Sequence, residues 1–447
     1  MKLFLSSVLI LVLFALQDIK SQEFWSLDDC LNYALGNNIQ LKRQELTSKI
    51  SENNYLQSLI DVAPDLAGFG RHNLSSGKTV NLEDYTYINT TFYDGYIGTQ
   101  SQWTLFNGFQ KINAIKQSKF NLLGSIQDID RIKNDLVLNI TGAYLQILFN
   151  HELLEMAKGQ LEVSEQQVDR TSKMMELGRI SKGELLEIQS QAAAEKLNAT
   201  NAQNQLTLSY LTLIQLLRLD SIGDFRIVRP EDLEMDKEGL ITSVKGVYEY
   251  AEKNFPQIKS AEYNLSSLEK GLAIARGQRS PQIGLTGTLY SRYSELARDP
   301  LDPASIYAVN QQLNNNLYKQ VSVNLSVPIF SRWRVQNQIS NAKINVLDAR
   351  YNLDQNKQIL YQEIQQAHAD AMAALEKYYS SFETVESREE AFNYSQQKFN
   401  VGLTNSVDYN IAKNNLTRAR SDLLQAKYEF IFKSMILDFY QGNPISL

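Results

Sequence analysis

Several residue types and patterns are scarce in this chain of 447 residues, and each scarcity excludes a class of protein. The single cysteine, Cys30, cannot form an internal disulfide and has no nearby base that would make it a catalytic nucleophile. The three histidines show no ligand spacing, so no metal is predicted. The sequence also lacks Gly-x-Ser-x-Gly, Walker and dinucleotide motifs, so neither an enzyme nor a cofactor is predicted.

Charge of one sign and long apolar runs are scarce as well. The formal charge of −6 is mild and no basic patch stands out, which argues against nucleic acid as a partner. The apolar run at residues 3–16 is shorter than the ~20 residues that a transmembrane helix needs, so residues 1–22 are predicted to be a secretory signal peptide. No later segment is suited to cross a bilayer as a helix, so membrane insertion would require strands.

Glycine and proline are absent from two long stretches, 331–401 and 404–441. At ~1.5 Å per residue, a helix over the first stretch would be roughly 100 Å long, far beyond an ordinary globular helix. Apolar residues recur there in steps of three and four, which is typical of coiled-coil packing; the clearest run is Ile339, Ala342, Val346, Ala349 and Leu353. The break at Phe399-Asn-Val-Gly402-Leu-Thr404 is therefore predicted to be the tip of a helical hairpin.

An earlier stretch, Met175-Glu-Leu-Gly178-Arg-Ile-Ser181, repeats this tip. Gly178 and Gly402 lie 224 positions apart (402 − 178), and the pair Phe106 and Phe330 has the same offset. Upstream the offset is 217, as between Tyr33 and Tyr250 (250 − 33). The chain is therefore predicted to be a tandem duplication whose second copy has gained 7 residues (224 − 217) in a surface loop.

Four segments with alternating apolar and polar residues are predicted strands, at about 64–75, 93–106, 281–292 and 317–330. In the clearest, Val321, Val323 and Leu325 share one face and Ser322 and Asn324 share the other. Outer-membrane barrel strands and half-buried strands of a soluble sandwich both show this alternation. Because the smallest barrels need ~8 strands, a barrel with four strands per chain would have to be shared between copies.

The predicted organisation is a signal peptide at 1–22, a first repeat at 23–220, a link at 221–243 and a second repeat at 244–447. Each repeat holds a leading helical segment, two strands and a long helical hairpin. In the first repeat the leading segment is at 25–60 and the hairpin tip is near Gly178, and in the second repeat the tip is near Gly402. The connections at 74–91 and 293–316 are predicted loops, since they are rich in Tyr, Asn, Ser and Asp.

Together these features resemble the TolC family of outer-membrane efflux channels. The motifs that carry the resemblance are Phe399-Asn-Val-Gly402-Leu-Thr404 with Asp408, Leu177-Gly178-Arg179-Ile180-Ser181 with Glu184, Leu105-Phe106-Asn-Gly108-Phe, and Ile329-Phe330-Ser. The family implies an α-helical barrel joined to a transmembrane β-barrel. Each protomer would supply four strands and two long coiled-coil hairpins, and a homotrimer would close one 12-stranded barrel. The protein would lie in the outer membrane of a Gram-negative bacterium, surrounded by lipid, with a helical tunnel through the periplasm.

The resemblance also implies partners and functional residues. The partners are a periplasmic adaptor (a membrane fusion protein) and an inner-membrane pump, either of the resistance-nodulation-division (RND) class or an ABC exporter. Adaptor docking would involve the two turns, with Leu177, Gly178, Ser181, Val401, Gly402, Leu403 and Thr404. Asp408 matches an acidic ring at the periplasmic entrance, and Glu184 matches an acidic residue on the other hairpin. Thr404 stands where some members carry an arginine that holds the closed state, and Arg179 and Glu187 are additional candidates.

Three functions remain open from the sequence. The first is a passive exit channel for small molecules, the second is the outer-membrane component of a type I protein secretion system, and the third is a periplasmic coiled-coil scaffold without a pore. Asp408 also has a purely structural explanation, because an aspartate at a helix N-terminus is stabilised by the helix dipole.

Overall fold

The computed structural model describes residues 24–80, 85–219, 225–230, 243–299 and 305–445. These residues form two compact units, and each unit draws on both halves of the chain. Unit 1 comprises 1–45, 128–258 and 355–447, and unit 2 comprises 46–127 and 259–354. The signal peptide and most of the predicted link at 221–243 lie outside the described residues.

Nine helices are present in the described part of the chain. They are α1 (Leu27–Asn37), α2 (Ile39–Ile60), α3 (Gln110–Glu176), α4 (Lys182–Leu217), α5 (Val244–Asn254), α6 (Pro256–Gly277), α7 (Val309–Asn315), α8 (Arg334–Asn400) and α9 (Ser406–Gln441). The strands of the same residues are β1 (Phe24–Trp25), β2 (Ala67–Val80), β3 (Tyr87–Phe106), β4 (Arg226–Ile227), β5 (Gln282–Ser294) and β6 (Tyr318–Ser326).

Helix lengths recur in the two halves. The helices α3 and α8 each have 67 residues, and α4 and α9 each have 36. The leading helices also match, since α1 and α5 have 11 residues each and α2 and α6 have 22 each. At ~1.5 Å per residue, α3 and α8 are each ~100 Å long, and for α8 this is the length that the absence of glycine and proline predicted.

The predicted helix over 25–60 is interrupted at Asn38. A capping box between Ser26 and Asp29 starts α1, and Asn38 ends it with an extended backbone, ψ 122°. The amide N–H of Asn38 still donates to the carbonyl oxygen of Ala34 (2.8 Å), while its side-chain oxygen accepts from the N–H of Leu41 (3.1 Å) at the start of α2. Asparagine competes with helical hydrogen bonds in this way, so it divides one amphipathic run into two helices.

The apolar core of unit 1 lies among α1, α3, α4 and α9. Ile140, Leu213 and Leu217 are almost fully buried, and the Tyr144 hydroxyl donates to the carbonyl oxygen of Val228 (2.6 Å) beside the short parallel pair of β1 and β4. Cys30 belongs to this core, and burial raises the pKa of its thiol to about 12. The thiol therefore stays protonated at neutral pH and acts as a small apolar side chain.

Unit 2 contains a four-stranded antiparallel sheet in the order β2-β3-β5-β6. The pairing register places Ile97, Trp103, Leu285, Val323 and Leu325 on one face. The other face holds polar residues at the alternate positions, Gln100, Gln102, Thr104, Thr286, Ser322 and Asn324. We call these the apolar face and the polar face. The alternation predicted from the sequence is thus present in β3, β5 and β6, whereas β2 does not alternate.

The sheet extends further than predicted at one end. The strands β2 and β3 pair from Ala67 with Gln100 up to Val80 with Tyr87, so much of the predicted loop at 74–91 is strand. The cause is the run 87–93, rich in Tyr, Ile, Thr and Phe, which favours strands and pairs with the polar residues of β2. At the other connection, β5 ends at Ser294. At its far end, β6 stops at Ser326, short of the predicted 330, because Pro328 has no N–H to donate to a neighbouring strand.

A tight corner joins β3 to α3. Gly108 adopts φ +65°, and a Cβ at this position would lie 2.4 Å from the carbonyl oxygen of Gly277. The corresponding corner before α8 has two residues with positive φ, Arg332 and Trp333. The first corner has two such residues as well, because Phe109 follows Gly108 with φ +61°. The corners therefore differ only at the first of the two positions, where glycine permits the close backbone approach in one and Arg332 bears the strain of a left-handed backbone in the other.

Within the described residues, no helix is long and apolar enough to cross a membrane. The same residues hold no group of three or more His, Cys, Asp or Glu side chains placed to share a metal ion.

Candidate functional site

The two hairpin turns of unit 1 are built in the same way. Gly178 (φ +71°) ends α3, and the N–H groups of Gly178 and Arg179 donate to the carbonyl oxygens of Met175 and Met174 (2.9 and 3.0 Å). Gly402 (φ +77°) ends α8 with the same two bonds, from Gly402 to Phe399 (3.1 Å) and from Leu403 to Lys398 (2.8 Å). This is the Schellman motif, which needs a left-handed residue and so selects glycine.

The helix after each turn begins with a side-chain cap and an acidic residue. The Ser181 hydroxyl accepts from the N–H of Glu184 (3.3 Å), and the Asn405 side chain accepts from the N–H of Asp408 (2.8 Å). The Thr404 hydroxyl also donates to an Asp408 carboxylate oxygen (3.1 Å). Asp408 is thus held in the first turn of α9, where the helix dipole favours a negative charge.

A cavity of about 690 Å³ lies between the two tips. Four of the five predicted entrance residues line it, namely Arg179, Glu184, Thr404 and Asp408, together with two predicted docking residues, Gly402 and Leu403. Glu187 is not part of this lining. Of the remaining docking residues, Leu177 and Val401 are each 70% exposed, so they are free to meet another protein. We call this cavity the tip cavity.

The contacts that join one hairpin to the other near the tip cavity are polar but not ion pairs. Arg170 donates to the side-chain oxygen of Asn400 (3.3 Å), and Gln191 donates to the side-chain oxygen of Asn414 (3.1 Å). Among the described tip residues of this chain, no ion pair within 4 Å links the hairpins. The carboxylate of Asp408 instead accepts a hydrogen bond from Thr404 of its own hairpin. The bond from Gln191 joins neutral groups and contributes about 1 kcal/mol, whereas the bond from Arg170 is charge-assisted because its guanidinium is ionised.

A buried lysine that was not predicted lies between the two hairpins, further from the tips. Lys413 is 5% exposed and donates to the Ser164 hydroxyl (2.8 Å) of the other hairpin. Glu195, 3% exposed, accepts hydrogen bonds from Gln191 (2.7 Å) and Asn198 (3.3 Å). Burial lowers the pKa of the Lys413 ammonium, and the negative charge of Glu195 opposes this only in part.

The sequence carries little signal for this lysine. The apolar residues Leu416, Ala419 and Leu423 recur in steps of three and four. Continued towards the N-terminus, this spacing places Ala412, one residue before Lys413, at the contact between helices. Lysine is rarely fully buried, so a helical pattern assigns it to the solvent face.

Aromatic packing holds the second tip together. Tyr409 is 4% exposed, and its ring stacks on that of Phe399 at a centroid distance of 4.7 Å and contacts Phe392 at 5.6 Å. Burial raises the pKa of the Tyr409 hydroxyl. Aromatic pairs stabilise beyond the area that they bury, by about 0.5–1.5 kcal/mol, so α8 and α9 are firmly joined at this end.

Comparisons with known proteins agree with this architecture. A family model described as Outer membrane efflux protein matches residues 30–217 and 247–438. The chain is 21% identical over 414 residues to the outer membrane efflux protein BepC of Brucella suis biovar 1 (strain 1330), which covers 92% of this chain and 84% of that protein. It is 20% identical over 360 residues to the outer membrane protein TolC of Escherichia coli (strain K12), covering 79% and 71% of the two chains.

Solved structures show the same fold. A crystal structure of CusC has a TM-score of 0.79 at 18% identity and covers 94% of this chain and 92% of that one. The outer membrane protein VceC of Vibrio cholerae has a TM-score of 0.80 at 14% identity, with 93% and 96% covered. The long helices and the small sheet described above are therefore those of a TolC-like channel.

Proposed function

Because the chain belongs to the outer membrane efflux protein family and is an outer-membrane exit channel, we propose that it works as a homotrimer that conducts small molecules passively. The molecules would come from an inner-membrane pump of the RND class through a periplasmic adaptor. The matched family and relatives are named for efflux and secretion, which supports a role without catalysis.

The observation that carries the proposal is the four-stranded sheet with two different faces. Val321, Val323 and Leu325 of β6 are between 66% and 77% exposed in the single chain, an exposure that suits lipid better than water. The strands β2 and β6 are the edges of the sheet and pair on one side only. Three copies joined from β6 to β2 would satisfy both edges and close a 12-stranded barrel with its polar face inward.

The apolar face has the height of a membrane band. From Tyr93 to Trp103 the strand rises by ten residues, ~34 Å, which at a tilt of ~40° spans about 25 Å. Aromatic side chains mark both ends. His72 stacks on Tyr93 and lies 2.5 Å from the Tyr293 hydroxyl at one end, and Trp103 donates to the carbonyl oxygen of Val62 (2.9 Å) at the other. Such girdles are typical of strands in an outer membrane.

We further propose that the chain consists of two structural repeats, at 23–220 and 244–447, and that the paired hairpins form the wall of the periplasmic tunnel. The equal helix lengths in the two halves support the repeats. The exposed turn residues Leu177 and Val401 support adaptor docking at the tips, with Gly178, Ser181, Gly402, Leu403 and Thr404 beside them. Asp408, Glu184, Thr404 and Arg179, with Glu187 nearby, would form the narrow entrance around the tip cavity.

The second candidate is the exit channel of a type I secretion system, in which an ABC exporter replaces the RND pump. One relative is named Alkaline protease secretion protein AprF, at 20% identity over 358 residues. The tunnel physics is the same for both systems, so identifying the inner-membrane protein that co-purifies with the chain separates them.

The proposed function is tested with the purified mature chain. We expect it to stay in the membrane after a carbonate wash, to require detergent for extraction and to sediment as a trimer. In planar bilayers the trimer should conduct ions. A chain that leaves the membrane with carbonate, or that is a monomer in detergent-free buffer, would instead be a periplasmic scaffold.

A further inference from the structure

We infer that the polar face of the sheet carries a recognition site for planar aromatic anions, at a level of the strands away from α3 and α8. The site consists of an aromatic row and an arginine row at neighbouring levels of the sheet. The inference rests on the proposed function, because it requires the polar face to line the pore.

The aromatic row crosses the whole sheet. Phe69 of β2 pairs with Gly98 of β3, Gly98 pairs with Tyr290 of β5, and Tyr290 pairs with Tyr318 of β6. These four positions lie on the polar face, at one level. The rings of Tyr290 and Tyr318 have a centroid distance of 5.2 Å. Each chain thus presents three aromatic side chains on the face that is otherwise lined by Gln, Thr, Ser and Asn.

The arginine row lies two residues further along the strands, at ~7 Å from the aromatic row. Arg71 pairs with Tyr96, and Tyr96 pairs with Arg292. The Arg71 guanidinium lies over the Tyr96 ring, 5.7 Å from its centroid, and Phe69 meets the same ring edge-on at 5.8 Å. The Arg71 guanidinium is therefore close to half-buried aromatic surface, and Arg292 lies on the same face at the level of Tyr96.

The charge of this region is positive. At the next level Asp94 pairs with Asn73, and its two carboxylate oxygens accept hydrogen bonds from Asn73 (3.1 Å) and Ser75 (3.0 Å). No ion pair within 4 Å joins Asp94 to Arg71 or Arg292 in the described residues. With two arginines to one aspartate, each chain contributes a net charge of +1, and a narrow pore would concentrate the field of three chains.

A purely structural explanation accounts for only part of the pattern. A Cβ at Gly98 would lie 2.5 Å from the Cβ of Tyr290, so Gly98 lets that tyrosine cross the strand, as aromatic side chains do over glycine in sheets. This explains Tyr290, but not the rings of Phe69 and Tyr318 or the arginine row. A lipid girdle does not explain them either, because girdles belong to the opposite, apolar face.

The chemistry of the two rows defines the ligand. Aromatic rings bind flat aromatic surfaces by stacking, and guanidinium groups bind carboxylate, sulfonate or phosphate through paired N–H donors. A molecule whose acidic group is separated from its aromatic rings by about the distance between the two rows would contact both rows. Planar aromatic anions of this size are the substrate class that the pore face favours on its way out.

The first experiment measures binding to the detergent-solubilised mature chain by calorimetry. The second measures block of the single-channel current when the ligand is added on the side where the sheet lies. The probe is 2-naphthalenesulfonate. Cyclohexanesulfonate has the same charge without an aromatic surface, and 2-naphthylmethylammonium has the same rings with the opposite charge. The variants are the pair Arg71→Gln and Arg292→Gln, the pair Tyr290→Leu and Tyr318→Leu, and the control Gln320→Asn, one level away on the same face.

We expect the probe to bind about tenfold more tightly than either comparator, the scale of one stacking or charge-assisted contact. Each double variant should lose about this factor, and Gln320→Asn should change binding by less than twofold. Equal binding of the three compounds, or a double variant that retains the preference, would overturn the inference. A chain that binds the probe but never conducts contradicts the proposed pore instead, because calorimetry reports on the sheet whether or not the entrance is open.

Discussion

The two hairpin tips have the same backbone but different side chains. Both turns have a left-handed glycine, two Schellman bonds, a capped next helix and an acid three residues after the cap. In the second tip, Phe399 and Tyr409 stack, whereas the positions 224 residues earlier are Met175 and Leu185. Turn geometry is therefore set by glycine and caps, while rigidity is set by what fills the space between the helices.

This difference in packing predicts that the two tips differ in how easily their helices separate. Tyr409 is 4% exposed within an aromatic stack, and Leu185 is 7% exposed without one. The first tip is thus expected to loosen more easily than the second. The hydrogen bond from Arg170 to the uncharged side chain of Asn400 joins the two tips, so one tip can move relative to the other without separating an ion pair.

The largest effect is expected from removing the aromatic stack. Tyr409→Ala should lower the opening free energy of the second tip by about 3–4 kcal/mol, and Leu185→Ala should lower that of the first tip by about 2 kcal/mol. Hydrogen exchange of peptides from each tip measures both. Tyr409→Phe keeps the ring and is the matched control, with a loss below about 1 kcal/mol. Equal losses for the two alanine variants would mean that the tips are equally rigid.

The glycines should behave alike. A Cβ at Gly178 or Gly402 meets no atom within 4 Å, so the penalty of alanine comes from the positive φ alone. We expect Gly178→Ala and Gly402→Ala each to destabilise the local turn by about 1–2 kcal/mol, with the two values equal within error. Protection of the turn amides against hydrogen exchange gives both values. Gly183→Ala, in the first turn of α4, is the control, and unequal losses would show that the backbones differ after all.

The buried lysine has no counterpart in the other hairpin, where the position 224 residues earlier is Gln189. Lys413→Met removes a buried charge that is only partly compensated, and we expect it to stabilise the folded protein against heat by about 1 kcal/mol at pH 7. Gln189→Met, at the matched position, should have almost no effect. A destabilised Lys413→Met protein would mean that the contacts with Ser164 and Glu195 outweigh the loss of hydration.

The pH dependence of the same variant gives an independent measurement. Because burial lowers the pKa of Lys413, the unfolded chain holds more protons than the folded chain between that lowered pKa and the ordinary value of 10.5. The stability of the natural chain should therefore rise with pH in this window. The advantage of Lys413→Met should be largest below the lowered pKa and should shrink as the pH rises towards 10.5, which thermal melts at increasing pH would detect.

Much of this architecture followed from the sequence. Runs without glycine or proline predicted α8 and α9 to within a few residues, because a helix continues until a residue stops it. The alternation of β6 predicted its two faces, since side chains in a strand alternate with a period of two. The copies of the tip motif predicted Gly178 and Gly402 as turns.

Other features did not follow from the sequence, for physical reasons. The division at Asn38 depends on whether one side chain bonds to its neighbours or to water, and the composition does not decide this. Lys413 is buried because helix packing places it against Ser164, which no pattern within a single helix reports. The aromatic row of Phe69, Tyr290 and Tyr318 spans three strands, so it emerges only once the pairing register is known.

The smallest effect on stability is expected at the acidic residues that begin α4 and α9. Asp408→Asn and Glu184→Gln should each weaken the local helix by about 0.5 kcal/mol, since each removes a charge from a helix N-terminus. Conductance separates this shared role from a role at the entrance. If three Asp408 carboxylates surround the pore, Asp408→Asn should reduce its preference for cations and its block by multivalent cations. Glu165→Gln, an exposed acid of α3 outside both the lining of the tip cavity and the predicted entrance, is the control. Unchanged selectivity in Asp408→Asn would mean that this aspartate only stabilises the N-terminus of α9 by its charge, as Glu184 does for α4 in the first tip.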